Sequence, residues 1–345
     1  MPFAESSSNP ITTGRVTLEN VAQEAGVSTM TVSRVVRGMD KRVTRETTKR
    51  VQAIIDRLGY QPDMLAKGLR GDPTRTIGLM MSSIGGYFFA NCVKRVDELA
   101  QDAGYSVILA GSHEYSKSEL NQFQMLMNHR IDGLLIVPTP GRHQFLKPAL
   151  EQGFPMVALE RELPNLSIDT VCIEIRTGSR RAVEHLLQHG HRRIACVSNQ
   201  SKIYTVTERI RGYKDAMSAA GLEAVVLHGQ DERHLDVALS RALREKNPPT
   251  ALYTTNGVLA LQLLPVLARH KLRIPLDMAL VGFDDIAAAP YLPSPMTTVK
   301  QPIEELATKA LELLLKRITG PKNEKTCKIA LSTELVVRES CGCSR

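Results

Sequence analysis

A chain of 345 residues, 43% hydrophobic and 23% charged, has room for two or three domains with sizeable cores and the composition of a folded globular protein. The balance is basic, 44 Lys and Arg against 36 Asp and Glu, which permits a polyanionic partner without requiring one. No run of 18 apolar residues occurs and the opening MPFAESSSNPITTG has no apolar segment, so neither a membrane span nor a secretory signal is expected, and the chain reads as cytoplasmic.

In chain order, residues 1–14 are rich in Ser, Thr, Asn and Pro and read as a disordered leader. Residues 15–60 hold three short helical patterns and no strand. Thr17 is placed to cap the first, which carries Leu18, Val21, Ala22 and Ala25 at helical spacing. Gly26 permits a sharp turn, Val27 plugs the angle between two helices, and Ser28 caps a second helix with Val32, Val35 and Val36 inward. Its other face shows Thr29, Met30, Ser33, Arg34 and Arg37. A large side chain at Ala22 would hold the helices apart. The third helix, capped by Thr44, has Val51, Ile54, Ile55 and Leu58 on one face and stops at Gly59. Between Arg34 and Arg50 seven basic residues face two acidic ones, a net of +5 that suits phosphate neutralisation. A helix, a tight glycine turn and a second helix is the arrangement that lays its second helix in the DNA major groove.

Residues 61–76 contain two prolines and two glycines around one apolar turn and read as a linker with a marginal helix. Beyond them, short apolar runs alternate with helical patterns: IGLMM (77–81), SVILA (106–110), DGLLIVP (132–138), PMVAL (155–159), RIACVS (193–198), AVVLH (224–228), TALYT (250–254) and MALVGF (278–283). Such a rhythm predicts parallel sheets flanked by helices. DELAQDAGYSVILAG (97–111) also echoes DAMSAAGLEAVVLHG (215–229), as two similar α/β lobes would. The six cysteines are scattered with no zinc-type CxxC pairing. The final Cys341-Gly342-Cys343 reads as a reduced, exposed tail rather than a metal or redox site, so neither metal nor cofactor is expected.

VTLENVAQEAGVSTMTVSRVVRG (16–38) followed by LGYQPDMLAKGLRG (58–71) resembles the LacI/GalR family of bacterial transcriptional regulators. The likeness continues through HRIDGLLIVP (129–138), HLLQHGHRRIACV (185–197), ERIRGYKDAM (208–217), MALVGFDDI (278–286) and ELVVRES (334–340). The resemblance implies an all-α helix-turn-helix headpiece, a hinge helix at 61–76, and a two-lobed α/β core at 77–345 like periplasmic sugar-binding proteins. One lobe would span about 77–161 with part of 286–318; the other would span about 162–285 with the C-terminal strands. It assigns base reading to Thr29, Met30 and Arg34, where Arg34 can pair with guanine N7 and O6. Phosphate contacts fall to Thr17, Ser28, Thr31, Ser33 and Arg37. In the hinge, Leu69, with Ala66 and Lys67 beside it, would wedge into the minor groove and bend the duplex. The loop RGMDKRV (37–43) is one residue longer than the commonest family spacing.

Effector contacts carried over by the resemblance are Phe88, Arg209, Asn256 and Asp284, with Tyr87 and Glu160 beside them. An arginine fork and a carboxylate suit vicinal hydroxyls, and an aromatic ring suits an apolar sugar face. IEIRTG (173–178) and VALER (157–161) depart from the family pattern and leave the effector open to sugars, sugar phosphates or non-sugars. An enzyme on a nucleotide-binding fold is not expected: IGLMMSSIGG carries neither GxGxxG nor GxxxxGKS/T, and no GxSxG occurs. A secreted sugar-binding protein is disfavoured by the headpiece. The expectation is therefore a repressor that binds a pseudo-palindromic operator at the nucleoid as a homodimer, without C-terminal heptads for tetramers, and is switched by a small effector. The alternative is an activator or architectural DNA-binding protein with a non-sugar or vestigial sensor.

Overall fold

The computed structural model describes residues 16–38, 42–61, 73–83, 85–163, 165–199, 203–321 and 324–343. The expected leader, Lys41 of the basic loop, and the hinge residues Ala66, Lys67 and Leu69 lie outside the described residues. The chain divides into two units, Met1–Thr74 and Arg75–Arg345.

The first unit contains α1 (Leu18–Ala25), α2 (Thr29–Val36) and α3 (Arg45–Leu58). Each starts at a hydroxyl cap, as the sequence predicts. Asn20 N–H donates to Thr17 Oγ1 at 3.4 Å, Thr31 N–H to Ser28 Oγ at 3.2 Å, and Thr47 N–H to Thr44 Oγ1 at 3.2 Å. Gly26 ends α1 at φ 62°, a left-handed backbone that glycine adopts without penalty, and so turns the chain into α2. Val21, Ala22, Ala25, Val32, Val35, Val51, Ile54 and Tyr60 form the buried core, with Val27 and Val36 packed at its edge. Each buried Val or Ile contributes roughly 1.5–3 kcal/mol, so this small core has little to spare.

The second unit holds two six-stranded sheets. The first is built from β1 (Thr76–Met81), β2 (Ser106–Gly111), β3 (Gly133–Ile136), β4 (Met156–Glu160), β5 (Asp169–Ile173) and, much later, β11 (Lys328–Leu331). The second takes β6 (Ile194–Ser198), β7 (Val225–His228), β8 (Ala251–Thr254), β9 (Ala279–Phe283), β10 (Thr297–Lys300) and β12 (Glu334–Val336). Their orders, β11-β5-β4-β3-β1-β2 and β12-β10-β9-β8-β6-β7, repeat one arrangement, differing in the direction of the last edge strand. The helices are α4 (Tyr87–Asp102), α5 (Ser116–Asn128), α6 (Lys147–Glu151), α7 (Ile175–Gln188), α8 (Tyr204–Ala219), α9 (Glu232–Leu243), α10 (Gly257–Arg269) and α11 (Ile303–Thr319). The echo between 97–111 and 215–229 is real in space: α4 leads into β2 and α8 into β7, the matching edge strands. Strand β1 shows why the runs lack alternation. Ile77, Leu79 and Met81 enter one core cluster and Met80 another, so both faces of the sheet are covered.

The sheets are parallel as expected, apart from the edge pairing of β10 with β12, which is antiparallel. The lobe bounds need correction: β5 joins the first sheet beside β4, one strand beyond residue 161, and of the C-terminal strands β11 joins the first sheet beside β5 while only β12 joins the second. Strand β5 escapes hydrophobic patterning because it begins with buried polar residues. Asp169 is 3% exposed and is held by Arg317 of α11 at 2.6 and 2.9 Å and by the Cys327 N–H at 2.8 Å. The chain passes between the sheets three times: after β5, between β10 and α11, and between β11 and β12.

Candidate functional site

In the first unit, α2 turns Val32 and Val35 inward and thereby presents Thr29 and Met30 outward, Met30 with 61% of its surface exposed. Ser33 and Arg34 lie half-buried on its flank, and Arg34 makes no ion pair or side-chain hydrogen bond among the described residues. A soft exposed thioether beside hydroxyls and an uncommitted guanidinium is a contact surface, not a core face. Arg37 is exposed at the end of α2. The hydroxyls expected on phosphates are partly spoken for. Thr17 donates to Asn20 Oδ1 at 3.0 Å, so its proton is committed to the capping box. Ser28 and Thr31 lie 2.9 Å apart, which occupies one O–H and leaves the other free to donate.

In the second unit, Tyr87, Phe88, Glu160, Arg209, Asn256 and Asp284 all line one cleft of about 400 Å³. It lies at the carboxyl ends of the strands of both lobes, where loops leave a parallel sheet open to ligands. A wider recess of about 770 Å³ shares Arg161 but contains none of the six. Arg209, on α8, is 6% exposed. Its guanidinium lies 3.9 Å from the centre of the Phe283 ring and donates to the Thr255 carbonyl at 2.7 Å. It also donates to both oxygens of Asp284 at 3.3 Å. Arg209 and Asp284, expected as separate ligand contacts, are therefore partners of each other. Gln301 Nε2 donates to Asp284 Oδ1 at 2.5 Å and fixes the carboxylate further.

Opposite stands Glu160, fully buried at the end of β4. Burial pushes its carboxyl above the ordinary range, against the opposing charges of Arg161 and Arg209. Burial works against the charge of Arg161 too, but the hydrogen bonds to Glu114 and the charges of Glu114 and Glu160 more than offset it. Arg161 donates to both oxygens of Glu114 at 2.9 Å and to the Pro138 carbonyl at 3.0 Å. Glu160 and Asp284 occupy equivalent places in the two lobes, at the ends of β4 and β9. Both are left-handed, with φ 62° and 73°. Non-glycine residues hold that conformation at a cost of roughly 1–3 kcal/mol, and such outliers collect where side chains are aimed at a site.

Five buried polar atoms of residues lining the cleft make no hydrogen bond within the described protein: Glu160 Oε2, Arg161 Nε, Asn199 Oδ1, Arg209 Nε and Gln262 Oε1. Glu160 Oε2 and Arg161 Nε are 3.3 Å apart, close enough for ionic attraction but not aligned as a hydrogen bond. Phe88 is only 7% exposed and packs edge-on against Phe89, so it is a wall of the cleft as well as core. Asn256 Oδ1 accepts the Leu259 N–H at 2.8 Å and caps α10, which pins the side chain. Tyr87 is 37% exposed at the rim. Sequence reasoning missed Arg161, Glu114 and Asn199. Arg161 carries a usable signal, since a Glu-Arg pair at the end of an apolar strand run places charges where they must find buried partners.

Comparison with known proteins follows the same division. Residues 17–63 match the model described as bacterial regulatory proteins, lacI family, and residues 183–341 match a periplasmic binding protein-like domain. The chain is 32% identical over 329 residues to the HTH-type transcriptional repressor PurR of Photobacterium profundum, covering 94% of this chain and 98% of that protein. It shows the same identity and coverage with the ribose operon repressor of Haemophilus influenzae. Among solved structures it is similar to the lac repressor dimer bound to operator and the anti-inducer ONPF, with TM-score 0.82, 26% identity, and coverage of 95% and 99% of the two chains. The chain belongs to the LacI family. It is thus a DNA-binding transcriptional regulator, with a helix-turn-helix region and a two-sheet α/β core of the LacI type. A transcriptional regulator CelR in complex with cellobiose is also similar, at 32% identity and TM-score 0.68, covering 94% of this chain and all of that one. Among the described residues, no helix of this LacI-family protein is long and apolar enough to cross a membrane.

Proposed function

We propose that this LacI-family regulator represses transcription as a homodimer on a pseudo-palindromic operator, and that a neutral polyhydroxy effector in the cleft controls it. It acts at the nucleoid by binding alone, without catalysis. The observation that carries the effector class is the set of five unpaired polar atoms in a cleft whose arginines have their charge already answered. Arg161 faces Glu114 and Glu160, and Arg209 faces Asp284. These are the only cations among the described residues lining the cleft. A phosphate would bring negative charge to three carboxylates and two committed guanidinium groups, whereas sugar hydroxyls both donate and accept and match the unpaired atoms. The cellobiose complex of the similar CelR and the ribose operon repressor fit this class.

A thermal-shift series on the full chain tests the reading. Neutral pentoses, hexoses and disaccharides are expected to raise the unfolding temperature, and the corresponding sugar phosphates to do so less. Stabilisation by phosphates alone would overturn the neutral-ligand assignment. Switching over about two decades of DNA affinity needs roughly 2.7 kcal/mol of coupling between cleft and headpiece. At the DNA, Arg34→Ala is expected to relax preference at one base pair of each half-site and to cost about 1–3 kcal/mol. An operator selection that returns the same consensus for both proteins would remove Arg34 from base reading.

A further inference from the structure

The terminal Cys341-Gly342-Cys343 is not the exposed tail its sequence suggests. Cys341 is 1% exposed and Cys343 is half-buried. The segment is led into place by buried hydrogen bonds. Ser340 Oγ donates to the Leu280 carbonyl at 2.5 Å and accepts the Thr297 N–H at 2.8 Å, while Arg338 donates to both oxygens of Asp285 at 2.8 and 3.2 Å. Gly342 sits at φ 83°, and the two thiols converge with sulfur atoms 2.6 Å apart. Thr297 Oγ1 donates to Cys341 Sγ at 3.1 Å.

The other half of the cluster comes from the carboxyl end of α7, His185 in its last turn and His189 as its C-cap. His185 and His189 are four residues apart, so both imidazoles project from one face of the helix. Their Nε2 atoms reach Cys343 Sγ at 3.0 and 3.1 Å, with ring centres 4.7 Å apart. The ligand atoms of His185, His189 and Cys343 all lie within 4.8 Å of one another. The cluster borders the amino-terminal end of β6, whereas the effector cleft opens at the carboxyl ends of the strands.

We propose that His185, His189, Cys341 and Cys343 form a tetrahedral site for one zinc ion, clamping the C-terminal segment to α7. Two imidazoles and two thiolates are a closed structural zinc set, with no position left for water. Zinc–ligand bonds of about 2.0–2.3 Å place tetrahedral ligands roughly 3.4–3.8 Å apart, so the observed spacings need open by only a few tenths of an ångström for the histidine contacts and about one for the sulfur pair. Both thiols release their protons to solvent on loading, and the two thiolates balance the charge of Zn²⁺. Thr297 then acts as an outer partner, donating to the Cys341 sulfur.

The test uses full-length protein, reduced and stripped with a chelator. Titration with zinc against a chromophoric chelator is expected to show one equivalent bound, and cobalt(II) to give the intense visible absorption of a tetrahedral, thiolate-ligated ion. Saturating zinc should raise the unfolding temperature by about 5–10 °C. His189→Gln and Cys343→Ser should each weaken zinc binding by about 100-fold or more, while their metal-free unfolding temperatures match that of the metal-free parent. Three results would overturn the site: no zinc uptake by the reduced parent protein, cobalt absorption of the weak octahedral kind, or undiminished uptake by the Cys341→Ser/Cys343→Ser double variant.

Discussion

Asp284→Asn is expected to weaken binding of the effector sugar by about 10–150-fold, because a charge-assisted hydrogen bond to a hydroxyl is worth roughly 1.5–3 kcal/mol. Asparagine is the informative replacement for two reasons. The residue sits at φ 73°, and asparagine tolerates left-handed backbone where alanine pays for it. The amide also keeps an acceptor for Arg209 and Gln301, which both donate to Asp284. Asp284→Ala removes both, and leaves a 6%-exposed guanidinium whose remaining direct contacts among the described residues are the Thr255 carbonyl and the Phe283 ring. Breaking a buried pair in that way costs about 3–5 kcal/mol, so the alanine variant should also unfold at lower temperature. The measurement is operator binding by fluorescence anisotropy as a function of the sugar found in the thermal-shift series. The Asn variant should hold operator as tightly as the parent without sugar and release it only at much higher sugar concentration. An unchanged sugar midpoint would take Asp284 out of the effector site.

The second large effect is on stability, and its sign runs against helix propensity. Gly212 lies inside α8, where alanine normally stabilises a helix by about 1 kcal/mol over glycine. Here a Cβ would fall 2.3 Å from the Arg176 carbonyl oxygen, 3.0 Å from the Arg180 nitrogen and 2.7 Å from Ser179 Cβ. Two of those atoms are backbone of α7 and cannot rotate away. The neighbouring Tyr213 is fully buried, with its hydroxyl accepting the Val225 N–H at 2.7 Å and donating to the Ile194 carbonyl at 2.9 Å. Moving α8 off α7 would disturb that anchor as well. Gly212→Ala is expected to destabilise the core by about 2–3 kcal/mol and Gly212→Val by more, read as a lower urea midpoint by circular dichroism. An alanine variant as stable as the parent would mean that the two helices separate freely.

How far the sequence alone reaches depends on the range of the interaction. The caps at Thr17, Ser28 and Thr44, the turns at Gly26 and Gly59, and the inward valines of α2 are settled within a few residues, and periodicity and capping chemistry find them. All eight apolar runs became strands; for the six inner ones the reason is that a strand covered on both faces writes itself as a continuous apolar segment, while the edge strands β2 and β7 are apolar but partly exposed. Strand β5 was missed because the ion pair that makes Asp169 tolerable comes from Arg317, 148 residues away. The same distance separates prediction from outcome at the sites. Residue types and family spacing brought Arg209 and Asp284 to one cleft, but that they satisfy each other across 75 residues, and so leave no spare cation for an anion among the described residues lining that cleft, only the tertiary structure decides. The terminal Cys-Gly-Cys is the sharpest case. Its local pattern carries no zinc spacing, since half of the ligand set lies on α7, more than 150 residues earlier. Local order is written along the chain, where neighbouring residues dictate it. Which distant side chains share a site is set by three crossings between sheets, a topology that no window of sequence contains.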